Sequence, residues 1–471
     1  MNRVKQHPHS VADSFSYEVG SEASGYELCN GSRIAVVGSG PAGSFFAYFL
    51  LKMAAAVDLE VEVDIFEPRS FSHCGPAGCN HCGGVVSESL VQILATEGIN
   101  LSRDVVQRGI DAYLVHTDAG SVPIASPAEE CRIAALYRGN GPREGGEATS
   151  GSFDGFLQNM AVQRGARVVR QLVTGLHWHD GFPVLEHAGG AGERYDLLAV
   201  ATGVNSNFLQ RLEDGAGDIA RPKSTRTYIC EFKLGTDGIK QVLGNAVHVF
   251  LLTLPRLEFA AVVPKGEYAT AIMVGEDLDQ ALVREFLTDP VVQNVFPSTT
   301  APCVCSCSPL INMGAKTRPY GDRIVMIGDS GVTRLYKDGI GSAYRTSKAA
   351  ASTAVFHGVS RDDFATHFWP ACRTIANDNA IGRFMFAASG ILKHSAYLRR
   401  VVQRMVAREQ ALPGRRPHMS KMLWNMFTGS APYTEILRDA MHPGFFGNFL
   451  LSMAREALPA GASGGRGETV Q

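Results

Sequence analysis

One segment restricts the fold of this chain more than any other: RIAVVGSGPAGSFFAYFLLKM, Arg33 to Met53. An apolar run, Ile34 to Val37, reads as a buried strand. It passes directly into Gly38, Gly40 and Gly43, in G-x-G-x-x-G spacing, and then into an apolar helix. Strand, glycine turn and helix in that order open a Rossmann-like α/β domain. Gly38 permits the tight turn, Gly40 leaves room for a pyrophosphate, and Gly43, beside Ala42, lets the helix pack against the strand. The helix N-terminus adds amide donors and a positive dipole end. A second strand, EVEVDIF, ends in Glu67, where a carboxylate can bind both hydroxyls of an adenosine ribose. That favours an unphosphorylated ribose, as in FAD or NAD.

Two later segments separate these cofactors. In GDRIVMIGDSGVTRLYKDGIGSAYRTSKAAAST, a strand ends in Gly328-Asp329, and a turn through Asp338, Gly339 and Gly341 opens a small-residue helix. This segment resembles the second FAD fingerprint of glutathione-reductase-type flavoproteins. The resemblance implies that Asp329 bonds the ribityl chain and that the helix points its N-terminus at the flavin. Between the two fingerprints, DLLAVATGVNS supplies a strand ending at Ala201, Thr202 and Gly203, like the middle motif of that fold. Three motifs in this order favour FAD over NAD.

Three further stretches carry a narrower likeness: Cys82-Gly83-Gly84-Val85-Val86-Ser87 after the second strand, YRGNGPR from Tyr137 to Arg143, and FDGFLQNMAVQRGARVV from Phe153 to Val169. Together they resemble the geranylgeranyl reductase family of FAD-dependent oxidoreductases, which has a p-hydroxybenzoate-hydroxylase-like fold. The likeness runs from Arg33 to Thr353 and is weakest across the sheet-like region between. It implies that Cys82 lies against the flavin, with His81 a weaker catalytic candidate and Arg138 among the cofactor-binding residues. It also implies an activity, hydride transfer from reduced flavin to a carbon–carbon double bond of an isoprenoid or other apolar substrate. A flavin monooxygenase is an alternative on the same fold.

The chain departs from that family by adding Cys74 and Cys79 before Cys82, in C-x4-C-x2-C spacing. Such spacing occurs among plant-type ferredoxin ligands. In APCVCSCSPL, Cys303, Cys305 and Cys307 would share one face of a strand, and Cys305 is taken as the closing ligand. Zinc is a second option, since Cys79-x2-Cys82 is a common half-site with His73 and His81 nearby. Buried, inert thiols are the third. A metal centre would point instead to a flavin and iron–sulfur electron-transfer protein acting on a quinone or a redox partner. No second dinucleotide fingerprint is present, so electrons are expected from transient NAD(P)H, from ferredoxin or through a built-in cluster.

The 471 residues are expected to divide into an N-terminal extension (1–30), an FAD-binding domain (31–205 and 315–360), an inserted antiparallel β-sheet substrate domain (206–314), a C-terminal helical region (361–460) and a disordered tail (461–471). Short β-rich runs such as TYICEFKL and ATAIMVG build the inserted sheet. Tyr228, Phe250, Phe259 and Met273 are expected to line an apolar pocket there. Beyond Asp362, LKHSAYLRRVVQRMVAREQALPGRRPHMSKMLWNMF is basic and amphipathic. It reads as a solvated face or as peripheral attachment to an anionic membrane, with HPGFFGNFLLSM as a lipid entry. A formal charge of −2 gives no basic field for nucleic acid. The N-terminal residues show no apolar run after their basic ones and no stretch reaches about 18 apolar residues. A cytoplasmic, reducing location follows for the ten cysteines.

Overall fold

The structure is a computed structural model that describes residues 25–73, 82–126, 133–142, 151–188, 190–215, 219–297, 301–315, 318–411 and 417–457. Its organising element is a six-stranded sheet in the order Tyr320–Gly321, Ile324–Met326, Leu197–Val200, Ser32–Val37, Val61–Phe66 and Arg167–Val169, parallel except at the Tyr320–Gly321 edge. Ile34, Ala35 and Val36 are fully buried because both faces of this sheet are covered, which is why the strand is a continuous apolar run. On one face the helices Pro41–Ala55 and Gly339–Phe356 pack side by side. Phe45 and Phe49 meet the Tyr344 ring edge-on there, at 5.9 and 5.5 Å. The other face is covered by an antiparallel sheet, Val173–His179, Phe182–His187 and Gly190–Arg194, and by the helix Phe208–Gly215.

Register aligns the strand ends that carry the motifs. Val37 pairs with Phe66 on one side and with Val200 on the other, and Val200 pairs with Met326. The Gly38 turn, Glu67, Thr202 and Asp329 therefore emerge along one sheet edge, where ligands of open α/β sheets bind.

A seven-stranded sheet faces that edge, in the order Cys303–Cys307, Tyr228–Lys233, Tyr268–Gly275, Leu257–Lys265, Ala246–Phe250, Ala112–Thr117 and Gly120–Ala125. It is mixed: Ala246–Phe250 runs parallel to Ala112–Thr117, and every other pairing is antiparallel. Two of its strands come from residues 112–125, which sequence order places within the nucleotide-binding segment. The hydrophobic alternation serves two interiors. Tyr228, Cys230, Phe250 and Met273 face a core closed by the helices Gly235–Val242, Gln280–Thr288 and Pro290–Val295. Ile229, Phe259, Ile272 and Val274 face the nucleotide edge. Of the four expected pocket residues, Phe259 alone lines the cavity; the other three point to the opposite side of their strands, because side-chain direction has a period of two.

The helices Trp369–His394, Ala396–Ala411, His418–Thr428, Tyr433–Ala440 and Pro443–Ala457 complete the fold. Trp424 is fully buried against Tyr113, ring centroids 5.4 Å apart. Many of the basic side chains here have internal partners: Arg400 and Arg404 bind Glu456, Arg399 binds Asp118, and Lys393 donates to main-chain carbonyls of Leu257 and Glu258. In Pro443–Ala457, Phe445 is buried, whereas Phe446, Leu450 and Leu451 are exposed. No helix among the described residues is long and apolar enough to cross a membrane.

Candidate dinucleotide site and adjoining chamber

The glycine turn is shaped by contact. Gly38 has φ +101°, and a Cβ there would stand 2.6 Å from the Ala201 carbonyl oxygen. A Cβ on Gly43 would fall 1.9 Å from the Gly38 oxygen, so no side chain fits. At Gly40 the nearest atom to a Cβ is Arg138 Nη2, at 3.0 Å. The turn thus presents bare backbone to Arg138 across a gap that any side chain would narrow.

Glu67 is buried and placed by three hydrogen bonds: the Ser39 amide donates to Oε2 (3.1 Å), and the Arg69 amide and Nε donate to Oε1 (3.0 and 3.2 Å). Arg138 forms a bidentate pair with Asp154, Nε to Oδ1 at 3.0 Å and Nη2 to Oδ2 at 2.8 Å. Burial works against this guanidinium, yet Asp154, with Cys82 and Asp329 nearby, outweighs it and raises the Arg138 pKa. Burial pushes the Asp329 carboxyl above its ordinary range, opposed by Arg138 and by the nearby Thr333 hydroxyl. Ser330 ties the middle and late motifs together, its Oγ accepting the Gly203 amide at 2.8 Å. Gly328 rests on the first helix, where a Cβ would sit 2.7 Å from Ala42 Cβ, while Ser347 donates to the Ala42 carbonyl at 2.8 Å.

The N-termini of the two helices, at Gly40 and Asp338, carry no side-chain cap, and their first residues line the same cavity. Uncapped amides and the positive ends of two helix dipoles suit a bridging pyrophosphate and an electron-rich ring system. The residues present therefore fit FAD. Glu67 would hold the adenosine ribose, Gly38, Gly40 and Arg138 would surround the pyrophosphate, Asp329 would meet the ribityl chain, and Gly339 would border the flavin.

This groove does not close behind the nucleotide. It forms a single cavity of about 380 Å³ with an apolar chamber under the seven-stranded sheet. Cys82, Gly83 and Gly84 line the junction; the Gly84 amide donates to Cys82 Sγ at 3.3 Å, and a Cβ on Gly83 would stand 2.5 Å from Ile272 Cδ1. A chain of rings bounds the chamber. Tyr113 stacks on Phe427 at 6.2 Å, Phe427 meets Phe259 at 6.3 Å, and Phe259 stacks on Phe386 at 6.5 Å. Phe386 and Phe427 come from the C-terminal helices and have no signature in the sequence. Lys337 and Tyr336 also line the cavity; their place inside the late glycine-rich segment was the one available signal.

The structure thus brings Gly38, Gly40, Ala42, Glu67, Cys82, Arg138, Thr202, Gly203, Asp329 and Gly339 into one cavity wall. Gly43, Gly328 and Gly341 serve the packing beneath it. Cys74, Cys79 and His81 lie outside the described residues. The expected one-face row of cysteines is not formed, because a bulge interrupts its strand after Cys303. Cys305 and Cys307 pair with Glu231 and Ile229, while Cys303 pairs with Phe232 and bonds the Cys230 thiol on the opposite face. Among the described residues no group of three or more His, Cys, Asp or Glu side chains could hold a metal ion, so Cys305 and Cys82 share no such site there.

Sheet order, strand-end motifs and the facing sheet together define the fold of FAD-dependent oxidoreductases. Solved structures share it at low identity. A geranylgeranyl bacteriochlorophyll reductase-like protein from Thermoplasma acidophilum matches with a TM-score of 0.62 and 16% identity, over 91% of this chain and 100% of its own. A flavoprotein/dehydrogenase from Cytophaga hutchinsonii gives 0.58 and 15%, over 91% and 100%. Halogenase PltM in complex with phloroglucinol and FAD gives 0.57 and 13%, over 91% and 86%. No protein-family model and no curated protein sequence matches the chain.

Proposed function

We propose that the chain is an FAD-dependent oxidoreductase that reduces a carbon–carbon double bond of an apolar, isoprenoid-like substrate. One observation carries this reading: the nucleotide groove and the ring-lined chamber are a single cavity, joined at Cys82 to Gly84. Bound FAD supplies the hydride donor, and the protein's part is placement. The apolar wall takes the substrate out of water, Phe259 and Ile272 set its distance from the nucleotide edge, and Cys82 shapes the face at the junction. Alignment of donor and acceptor in a water-excluded site is worth several kcal/mol, about 7–11 at best. The likeness to the geranylgeranyl bacteriochlorophyll reductase-like protein supports this choice within the fold.

A second reading draws on the same chamber. Its succession of rings suits an aromatic substrate, and the similar halogenase PltM is in complex with phloroglucinol and FAD, which favours oxygen-dependent chemistry on a ring. The FAD-loaded protein, reduced without oxygen and mixed with geranylgeraniol, distinguishes the two. Reoxidation of the flavin with appearance of a saturated product supports the first reading. Flavin that stays reduced until oxygen is admitted sinks it in favour of the second. Iron and sulfide assays on the same sample test the electron-transfer alternative.

A further inference from the structure

Among the described residues, four basic side chains line the cavity: Arg69, Arg138, Arg334 and Lys337. Three are neutralised. Arg69 pairs with Glu67 at 3.2 Å, Arg138 with Asp154 at 2.8 Å, and Arg334 with Asp338 at 2.8 Å. Lys337 differs. Its Nζ donates to the main-chain carbonyls of Asn425 (2.9 Å) and Ala431 (3.1 Å) and lies 4.1 Å from the centre of the Tyr433 ring. Among the described residues it has no carboxylate partner at ion-pair distance. An ammonium has three protons, so the two carbonyls leave a third that the Tyr433 ring or a ligand can take.

The backbone around Lys337 is strained. Tyr336 and Asp338 have φ of +59° and +53°, the left-handed region that non-glycine residues rarely adopt. Strain held on both sides of a cavity-lining cation marks a position that the fold over-determines. From Lys337 the rings continue without a break: Tyr433 to Phe386 at 6.0 Å, then Phe386 to Phe259. Among the described residues lining the chamber, Lys337 is thus the cation with no ion-pair partner, at the edge of an apolar space.

We propose that the chamber takes an apolar ligand bearing one anionic group, and that Lys337 is the residue that binds that group. This rests on the reading of the chamber as the substrate site. A buried ammonium without an anion is costly; a ligand carboxylate at the remaining proton would form a charge-assisted hydrogen bond. The surrounding charges agree. Burial first, and Arg334 second, lower the Lys337 pKa to about 7, against Asp378 from the Trp369–His394 helix and Asp338 from its own segment. The Tyr433 phenol, whose ring lies against it, is pushed upward by burial and stays neutral. Anion binding should thus draw a proton onto Lys337, and affinity should fall as pH rises above about 7.

The probes are octanoate and octanol, titrated calorimetrically into FAD-loaded protein. Near pH 6, octanoate should bind about tenfold or more tightly than octanol, the worth of one charge-assisted bond. The preference should shrink by about tenfold per pH unit above about 7 until it is gone, while octanol binding stays constant. Lys337→Met should remove the preference and leave octanol binding intact. Lys337→Arg, charged throughout, should keep the preference at high pH. Equal binding of the two probes near pH 6 overturns the assignment, as does a preference that survives Lys337→Met. Failure of octanol itself to bind contradicts the chamber reading instead.

Discussion

The pairing of Arg138 with Asp154 makes the sharpest structural prediction. Asp154 has no exposed side-chain surface, and both its oxygens accept from one guanidinium, itself 21% exposed. Its main-chain amide also bonds the Arg138 carbonyl at 3.0 Å, and the Phe153 amide bonds the Tyr137 carbonyl at 3.0 Å, so the Tyr137 loop is fastened to the start of the Phe153–Val162 helix. Arg138→Met keeps most of the volume and takes the guanidinium from a buried carboxylate. Losing one partner of such a pair costs about 3–5 kcal/mol, and the partial exposure of Arg138 places this case toward the lower end. Adding Asp154→Asn to the Met variant removes the buried charge and should return about 1–3 kcal/mol. Urea denaturation followed by both fluorescence and circular dichroism measures the cycle. An Arg138→Met protein within about 0.5 kcal/mol of wild type, the range of ordinary surface changes, refutes the reasoning.

Gly40→Val should fold, since only the far end of Arg138 need move, yet fail to retain FAD on gel filtration; normal occupancy would remove Gly40 from the pyrophosphate site. Glu67→Ala should weaken FAD binding by about 1–3 kcal/mol, read as a shift in the dissociation constant, and an unchanged constant would assign the ribose to another residue. Burial, followed by repulsion from His248, lowers the His116 pKa from 6.5 to about 4. Folded protein then binds fewer protons than unfolded, so the His116 contribution is present above about pH 6.5 and lost as pH falls toward 4, up to about 3 kcal/mol. His116→Phe should flatten the urea midpoint across that window, and an unaltered pH profile would show that His116 does not titrate as placed.

The nucleotide edge was legible because its demands are local. The Gly38 turn, the carboxylate ending a strand at Glu67 and the Gly-Asp step at 328 and 329 each follow from backbone geometry within a few residues. The chamber was not. Tyr113 and Phe427 meet across more than three hundred residues of sequence, and nothing in a helical, basic C-terminus declares that Phe386 and Phe427 will roof a cavity. The β-rich runs of the sheet were legible, but the side of each strand that faces the cofactor was not, so Tyr228, Phe250 and Met273 were grouped with Phe259 although they lie on the opposite face. The cysteine row failed for a related reason: one inserted residue in a strand reverses every side chain beyond it, and spacing alone does not show a bulge between Cys303 and Cys305.

The central claim is that the cavity at the sheet edge holds FAD. Chromatography of the supernatant after heat denaturation of purified, FAD-reconstituted protein tests it most directly. FAD is expected in amounts matching the protein, with the Gly40→Val protein folded and empty. Correctly folded wild-type protein that releases no FAD after reconstitution would contradict it.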